Sequence, residues 1–304
     1  MLRHLSLLVL TPLSFGLALA LPAAAAPDLP VGTCMAGSTD GQITCDLRAV
    51  VPATLDKLER VNGAMQGESL MVMPFEGTAA WLMLVDETHE APVGLITDDR
   101  YGGIRADLTD MIALSNDNRL VEVQAYDGTL QTLAPFGSNV SQAATALQDL
   151  QAVQVEPQDR SGLYLSALSA VERLADLDAD RKALVLFTDG LQNASASSVN
   201  RLIDAAEAAD VTIIGMAYAG GEADLANHLD LRAMAAATDG TTLYPSMTNQ
   251  RLSDDNLRGF FATLENGGTL ELSMESMDTN AVRVRALYSD GRTMDGMLSV
   301  PERQ

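Results

Sequence analysis

Three short apolar runs constrain this chain more than any other feature: Ala79–Val85 (AAWLMLV), Lys182–Thr188 (KALVLFT) and Val211–Ala217 (VTIIGMA). Each is too short for a buried helix and too uniformly apolar for a strand with one wet face. Each therefore reads as a strand buried on both faces, which needs helices above and below it. The intervening sequence supplies them. Apolar residues at helical spacing mark one face at Ala143, Leu147 and Leu150, another at Tyr164, Leu168, Val171 and Ala175, and a third at Val199, Leu202, Ile203 and Ala206. Leu120–Tyr126 and Leu130–Leu133 flank Asp127-Gly128, a hairpin turn signal. Leu231–Ala237 reads as a short helix, Thr241–Tyr244 as a strand and Asn256–Leu264 as a last helix. The expected fold over residues 79–265 is a doubly wound α/β unit. Its sheet is six-stranded and mostly parallel, with helices on both faces.

The pattern changes on either side of this unit. Thr269–Met274 alternates at period two, as do Val282, Val284 and Ala286. Ser289-Asp290-Gly291 is a turn before Thr293–Val300. Three short strands do not make a core alone. Ile43–Val51 and Ser69–Pro74 are matching candidates, so the N-terminal segment (26–78) and the C-terminal segment (266–304) are expected to pair into a small antiparallel β-domain around the inserted α/β unit. Pro52–Met65 reads equally as a short helix packed elsewhere. Cys34 and Cys45 are the two cysteines of the chain. An isolated pair in an oxidising compartment bonds, and residues 37–41 read as a turn between them. The bond would staple a hairpin and contribute roughly 3 kcal/mol through loop closure.

The first residues point to such a compartment. Arg3 precedes an interrupted apolar stretch, Leu5–Leu21, and the small residues Ala23–Ala26 follow. This is the layout of a signal peptide, assigned to residues 1–25, rather than of a membrane anchor. Thr33 stands before Cys34 where a lipid-modified cysteine needs Gly or Ala, which argues against lipidation. No later stretch approaches the ~18 apolar residues that span a bilayer, so no stable membrane insertion is expected after cleavage and the chain is expected to be periplasmic or secreted. The formal net charge is −22, and residues 1–25 contain one arginine and no acid, so cleavage makes the chain more acidic still. Such a chain repels nucleic acid and anionic membranes and suits cations or basic partners.

Asp86 and Asp189 each follow a buried strand directly. Thr88 and Glu90 share the loop of Asp86, and Ser161 lies on the loop that opens the helix at Gly162. If the strands ending at Asp86 and Asp189 are neighbours, these side chains meet at the carboxyl edge of the sheet, where open α/β sheets bind ligands. The motifs in order are Asp86-x-Thr88-x-Glu90, Ser161-x-Leu163-Tyr164, Thr188-Asp189-Gly190 and the passage from Ala235 through Gly240 to Thr242-Leu243-Tyr244. Together, over residues 79–265, they resemble a von Willebrand factor type A (vWA) domain. The resemblance implies a metal-ion-dependent adhesion site, whose pattern is Asp-x-Ser-x-Ser, then Thr, then Asp. By position Asp86, Thr88, Ser161 and Asp189 match it, with a hydroxyl kept at each exchange. Glu90 departs from it, because it stands where the second Ser belongs and brings length and charge. The implied cofactor is a divalent cation, Mg²⁺, with Glu90 tilting the preference toward Ca²⁺ or Mn²⁺. The implied partner is another protein of the cell envelope or the exterior, engaged without enzymatic chemistry. The alternative is a metal-free scaffold with a degenerate site, in which other surfaces carry the interaction.

The remaining motifs are weaker. His89-Glu90-Ala91-Pro92-Val93 is not a zinc-protease HExxH, since Val93 replaces the second His and Pro92 breaks a helix. A hydrolase built on Ser161 and His89 lacks a GxSxG elbow. Ser161 can also serve as a helix cap. The fourteen methionines read as core filling rather than a copper site.

Overall fold

The computed structural model describes residues 29–36, 42–48, 51–61, 66–89, 100–151, 153–154, 162–188, 196–218, 228–246, 251–273 and 281–299. The expected signal peptide, 1–25, lies outside them. In chain order, β1 (Leu29–Ala36), β2 (Gln42–Arg48), β3 (Leu55–Arg60), β4 (Ser69–Leu70) and β5 (Val72–Pro74) come first. The α/β unit follows: β6 (Ala79–Asp86), β7 (Thr88–His89), α1 (Arg100–Ala113), β8 (Arg119–Tyr126), β9 (Leu130–Ala134), α2 (Val140–Ala146), β10 (Val153–Gln154), α3 (Gly162–Ala175), β11 (Arg181–Thr188), α4 (Ala196–Ala208), β12 (Val211–Ala217), α5 (Leu229–Ala237), β13 (Thr242–Leu243), α6 (Asp254–Gly259) and α7 (Ala262–Glu265). The last strands are β14 (Gly267–Ser273), β15 (Ala281–Tyr288) and β16 (Thr293–Ser299).

The six-stranded sheet runs β13-β12-β11-β6-β8-β9 and is parallel except for the β8–β9 hairpin. β6, β11 and β12 carry the three apolar runs and are buried nearly throughout. One face packs on α1, α2 and α7 through Ile104, Leu108, Ala143 and Leu264. The other packs on α3, α4 and α5 through Ala167, Val171, Leu202 and Met234. β6 lies between β8 and β11, and the order of connection reverses there, so the switch point of the doubly wound sheet falls beside the end of β6.

Two elements depart from expectation. Arg100–Ala113 forms a helix that the apolar pattern alone does not announce. Ile104, Leu108, Met111 and Ile112 do follow helical spacing, but Gly102 and Gly103 in the first turn weaken the signal. The single helix expected over 256–264 is two short ones. Ser253 caps α6 by accepting the Asn256 N–H, and the break falls at Phe260-Phe261, whose rings both reach Trp81, at centroid distances of 5.1 and 5.0 Å. Phe260 and Phe261 keep right-handed helical backbone angles, and the regular hydrogen bonding lapses only locally, with Phe260 N–H donating to Leu257 O at 3.3 Å.

The second sheet is ordered β4-β3-β15-β16-β1-β2-β14-β5. The helix reading of Pro52–Met65 is overturned, since Leu55–Arg60 is a strand paired antiparallel with β15. Cys34 and Cys45 stand directly opposite on β1 and β2 and are disulfide-bonded. The pairing is antiparallel except between β1 and β16, which run parallel. The first and last strands of the order, β4 and β5, are separated by Met71 alone. Ser69–Pro74 is thus one stretch of chain that leaves β3 at Leu70 and joins β14 at Val72, and the sheet closes on itself. Leu70 and Val72 turn inward on Ile43, Leu47, Leu58, Leu270 and Val284, while Met71 is 84% exposed. Closure removes both open edges.

The closed sheet docks at the amino ends of the parallel strands, opposite the edge that carries Asp86. Arg181, the first residue of β11 and 1% exposed, donates to Leu264 O (2.7 Å), Asn266 O (3.0 Å), Leu47 O (2.8 Å) and Asp46 Oδ1 (2.6 Å), and lies 4.2 Å from the centre of the Phe75 ring.

Candidate functional site

Asp86 is the last residue of β6 and 6% exposed. Its carboxylate is held from two sides. Oδ1 accepts the Thr88 backbone N–H (3.0 Å) and the Thr88 hydroxyl (2.6 Å), an Asx-type turn that fixes the loop directly after the strand. Oδ2 accepts the hydroxyl of Thr188, the last residue of β11, at 3.0 Å. The parallel register of β6 and β11, with Val85 opposite Phe187, brings these two strand ends level. Tyr101 of α1 donates its hydroxyl to Asp86 O at 3.1 Å.

The loop is clamped further along. Thr88 and His89 form a two-residue parallel ladder with Val153 and Gln154. Glu87 N–H donates to Tyr126 O (2.9 Å), Glu87 O accepts from Val153 N–H (2.7 Å), and Glu87 Oε1 accepts from Gln151 N–H (2.7 Å). Burial pushes the Glu87 carboxyl up to about 7; the Gln151 N–H opposes this, and the nearby charges of Asp127 and Asp86 add to it. Gly162, the first residue of α3, meets the end of β8 so closely that a Cβ there would lie 1.9 Å from the Tyr126 hydroxyl oxygen. The start of α3 is therefore packed against the tip of the Tyr126 side chain, and the Tyr126 backbone pairs with Asp86 in the sheet.

Of the expected metal-site residues, Asp86 and Thr88 are brought together; Glu90, Ser161 and Asp189 lie outside the described residues. Thr188 and Tyr101, which hold Asp86, and Glu87 were not singled out as site residues from the sequence. A signal existed for Thr188, which precedes Asp189 at the end of a buried strand. Tyr101 lies on the helix that the pattern did not announce. The donors that the described residues offer are all oxygens, a carboxylate and a hydroxyl held 2.6 Å apart, and hard oxygen donors fit a divalent cation such as Mg²⁺ or Ca²⁺.

A doubly wound sheet with a carboxylate and a hydroxyl at the end of its central strand defines a class, and the sequence comparison agrees. Residues 105–255 match the family profile of the von Willebrand factor type A domain, and the chain is a vWA-domain protein. The matched segment starts after β6, so the Asp86–Glu90 loop lies outside it and is tied to the domain by the strand order. Several solved structures resemble the chain. The vWF domain of the type V pili tip protein Mfa5 from Porphyromonas gingivalis is 11% identical, over 62% of this chain and 95% of that one, with a TM-score of 0.44. A von Willebrand factor type A protein from Catenulispora acidiphila is 12% identical, over 89% and 72%, with a TM-score of 0.45. The PilB minor pilin from Streptococcus sanguinis is 15% identical, over 77% and 76%, with a TM-score of 0.43. No curated protein matches the chain.

Proposed function

We propose that this chain is an exported, non-enzymatic interaction module that engages another protein at the carboxyl edge of its parallel sheet, through a divalent cation held by Asp86 and Thr88 with Glu90, Ser161 and Asp189. The observation that carries this reading is the fixed pair of Asp86 carboxylate and Thr88 hydroxyl at the switch point of a vWA sheet. The cation supplies an electrophilic centre for a partner's carboxylate. The chain's own part is to hold Asp86 rigid from Thr88, Thr188 and Tyr101. Mg²⁺, Mn²⁺ or Ca²⁺ should raise the melting temperature; a cation at 100 times its dissociation constant contributes about 2.7 kcal/mol. Asp86→Ala should abolish the rise. No shift with any of the three ions removes the metal and leaves the fold.

One observation favours a second reading, a metal-free scaffold. The Asp86 carboxylate already accepts three hydrogen bonds from Thr88 and Thr188, an arrangement that is satisfied by protein groups alone. In that case Asp86→Ala leaves partner capture from envelope extract unchanged, with or without chelator.

A further inference from the structure

The six-stranded sheet has a second feature at its far edge, independent of Asp86. β13 ends the strand order, and its ladder with β12 is parallel, with Gly215 opposite Thr242 and Met216 opposite Leu243. Gly215 N–H donates to Thr241 O at 2.9 Å. A parallel ladder uses alternate residues of each strand, so the backbone N–H and C=O of Thr242 face away from β12. Beside this edge runs a groove of about 820 Å³. One wall is the outer face of α5, where Leu229, Arg232, Ala233 and Ala236 recur at i, i+3, i+4 and i+7, while Leu231 and Met234 turn into the core. The alanines leave room for a backbone to approach. Leu229 (62% exposed) and Tyr244 (42% exposed) give the groove apolar shoulders.

Charge selects the occupant. Arg232 is the one charged side chain among the described residues lining the groove, and it forms no ion pair with a described residue. A second copy of so acidic a chain is repelled overall, whereas an extended segment presenting a carboxylate to Arg232 is drawn in. Thr242 of β13 also lines the groove, and its hydroxyl is buried and without a partner among the described residues.

We propose that the β13 edge is a docking surface that accepts an extended segment of a partner protein as an added strand. The segment would pair with the Thr242 backbone, lay apolar side chains against Leu229 and Tyr244, and present an acidic side chain to Arg232.

The test uses the full chain and a fluorescent hexapeptide of alternating valine and glutamate, with its valine–lysine counterpart. The glutamate peptide should bind saturably and the lysine peptide at least tenfold more weakly. Thr242→Pro removes an N–H that β12 does not use, and Arg232→Glu reverses the charge; each should weaken binding at least tenfold. Chelator, which removes any cation that could hold a carboxylate at the Asp86 edge, should leave it unchanged. Should Thr242→Pro fail to fold, Ala233→Trp, which fills the groove, carries the same expectation. Absence of saturable binding, or equal binding by folded Thr242→Pro, overturns the proposal. Loss of binding in chelator also overturns it, placing the contact at the Asp86 edge, and self-association that Thr242→Pro abolishes assigns the edge to a second copy instead.

Discussion

Arg181→Met tests how the two halves of the molecule are held together. The guanidinium donates to the carbonyls of Leu47, Leu264 and Asn266 and to the Asp46 carboxylate, and its plane covers Phe75. Burial pulls its pKa down from the usual arginine value, and Asp46 opposes that. Methionine fills much of the volume but leaves three buried carbonyls without this donor, at roughly 1–3 kcal/mol each. The Asp46 side chain is 45% exposed and regains water, so it adds little. Relief from desolvating a buried cation offsets part of the loss. The net expectation is about 2–5 kcal/mol, set by the carbonyls left without a donor rather than by the half-exposed Asp46. Urea unfolding should be followed by far-UV circular dichroism and by the fluorescence of Trp81, the chain's single tryptophan, which sits in the α/β core. The two probes should separate in the variant, because the closed sheet loses its dock before the α/β unit unfolds. A loss under ~1 kcal/mol with coincident transitions would refute the clamp.

Three further outcomes follow from the same geometry. Cys34→Ser/Cys45→Ser should lower stability by about 2–4 kcal/mol, read as a drop in the melting temperature that reductant reproduces in the unmodified chain. Gly259→Ala places a Cβ 1.9 Å from Pro52 O, a backbone atom that cannot swing aside, so a cost of about 1–3 kcal/mol is expected by urea titration. Asp295 faces Arg285 across β15 and β16 in a two-pronged pair at 2.6 and 2.7 Å, which lowers the carboxyl pKa from its ordinary value. That stabilisation is present at neutral pH and is lost as pH falls below the ordinary aspartate range, so Asp295→Asn should cost under ~1 kcal/mol at pH 7 and nothing in strong acid.

Much of the architecture was legible because its strongest constraints are local. The runs over 79–85, 182–188 and 211–217 became β6, β11 and β12 with almost no change of boundary, since a strand buried on both faces has no polar position to blur it. Period-two alternation likewise located β14, β15 and β16. What escaped was set by distant contacts. Closure of the second sheet depends on Ser69–Pro74 exchanging one partner strand for another at Met71, and alternation is identical whether or not the ends meet. The break between α6 and α7 falls at Phe260-Phe261, whose rings meet the distant Trp81 indole, a contact that no local pattern carries. At the candidate site, Asp86 and Thr88 were readable as a loop motif. Their support from Thr188 and Tyr101 follows from strand register and from α1, neither of which a linear pattern carries.

The pairing of β5 with β14 has a consequence for how such a chain is built. Phe75 N–H donates to Gly267 O at 3.3 Å, and Pro74 stands opposite Gly268, so the chain leaves and re-enters the closed sheet at a single rung of one ladder. The entire vWA unit occupies the place of a hairpin turn. Swapping it for a two-residue turn would close the same ladder with no strand lost, and another domain whose ends lie one rung apart could be spliced in at the same point.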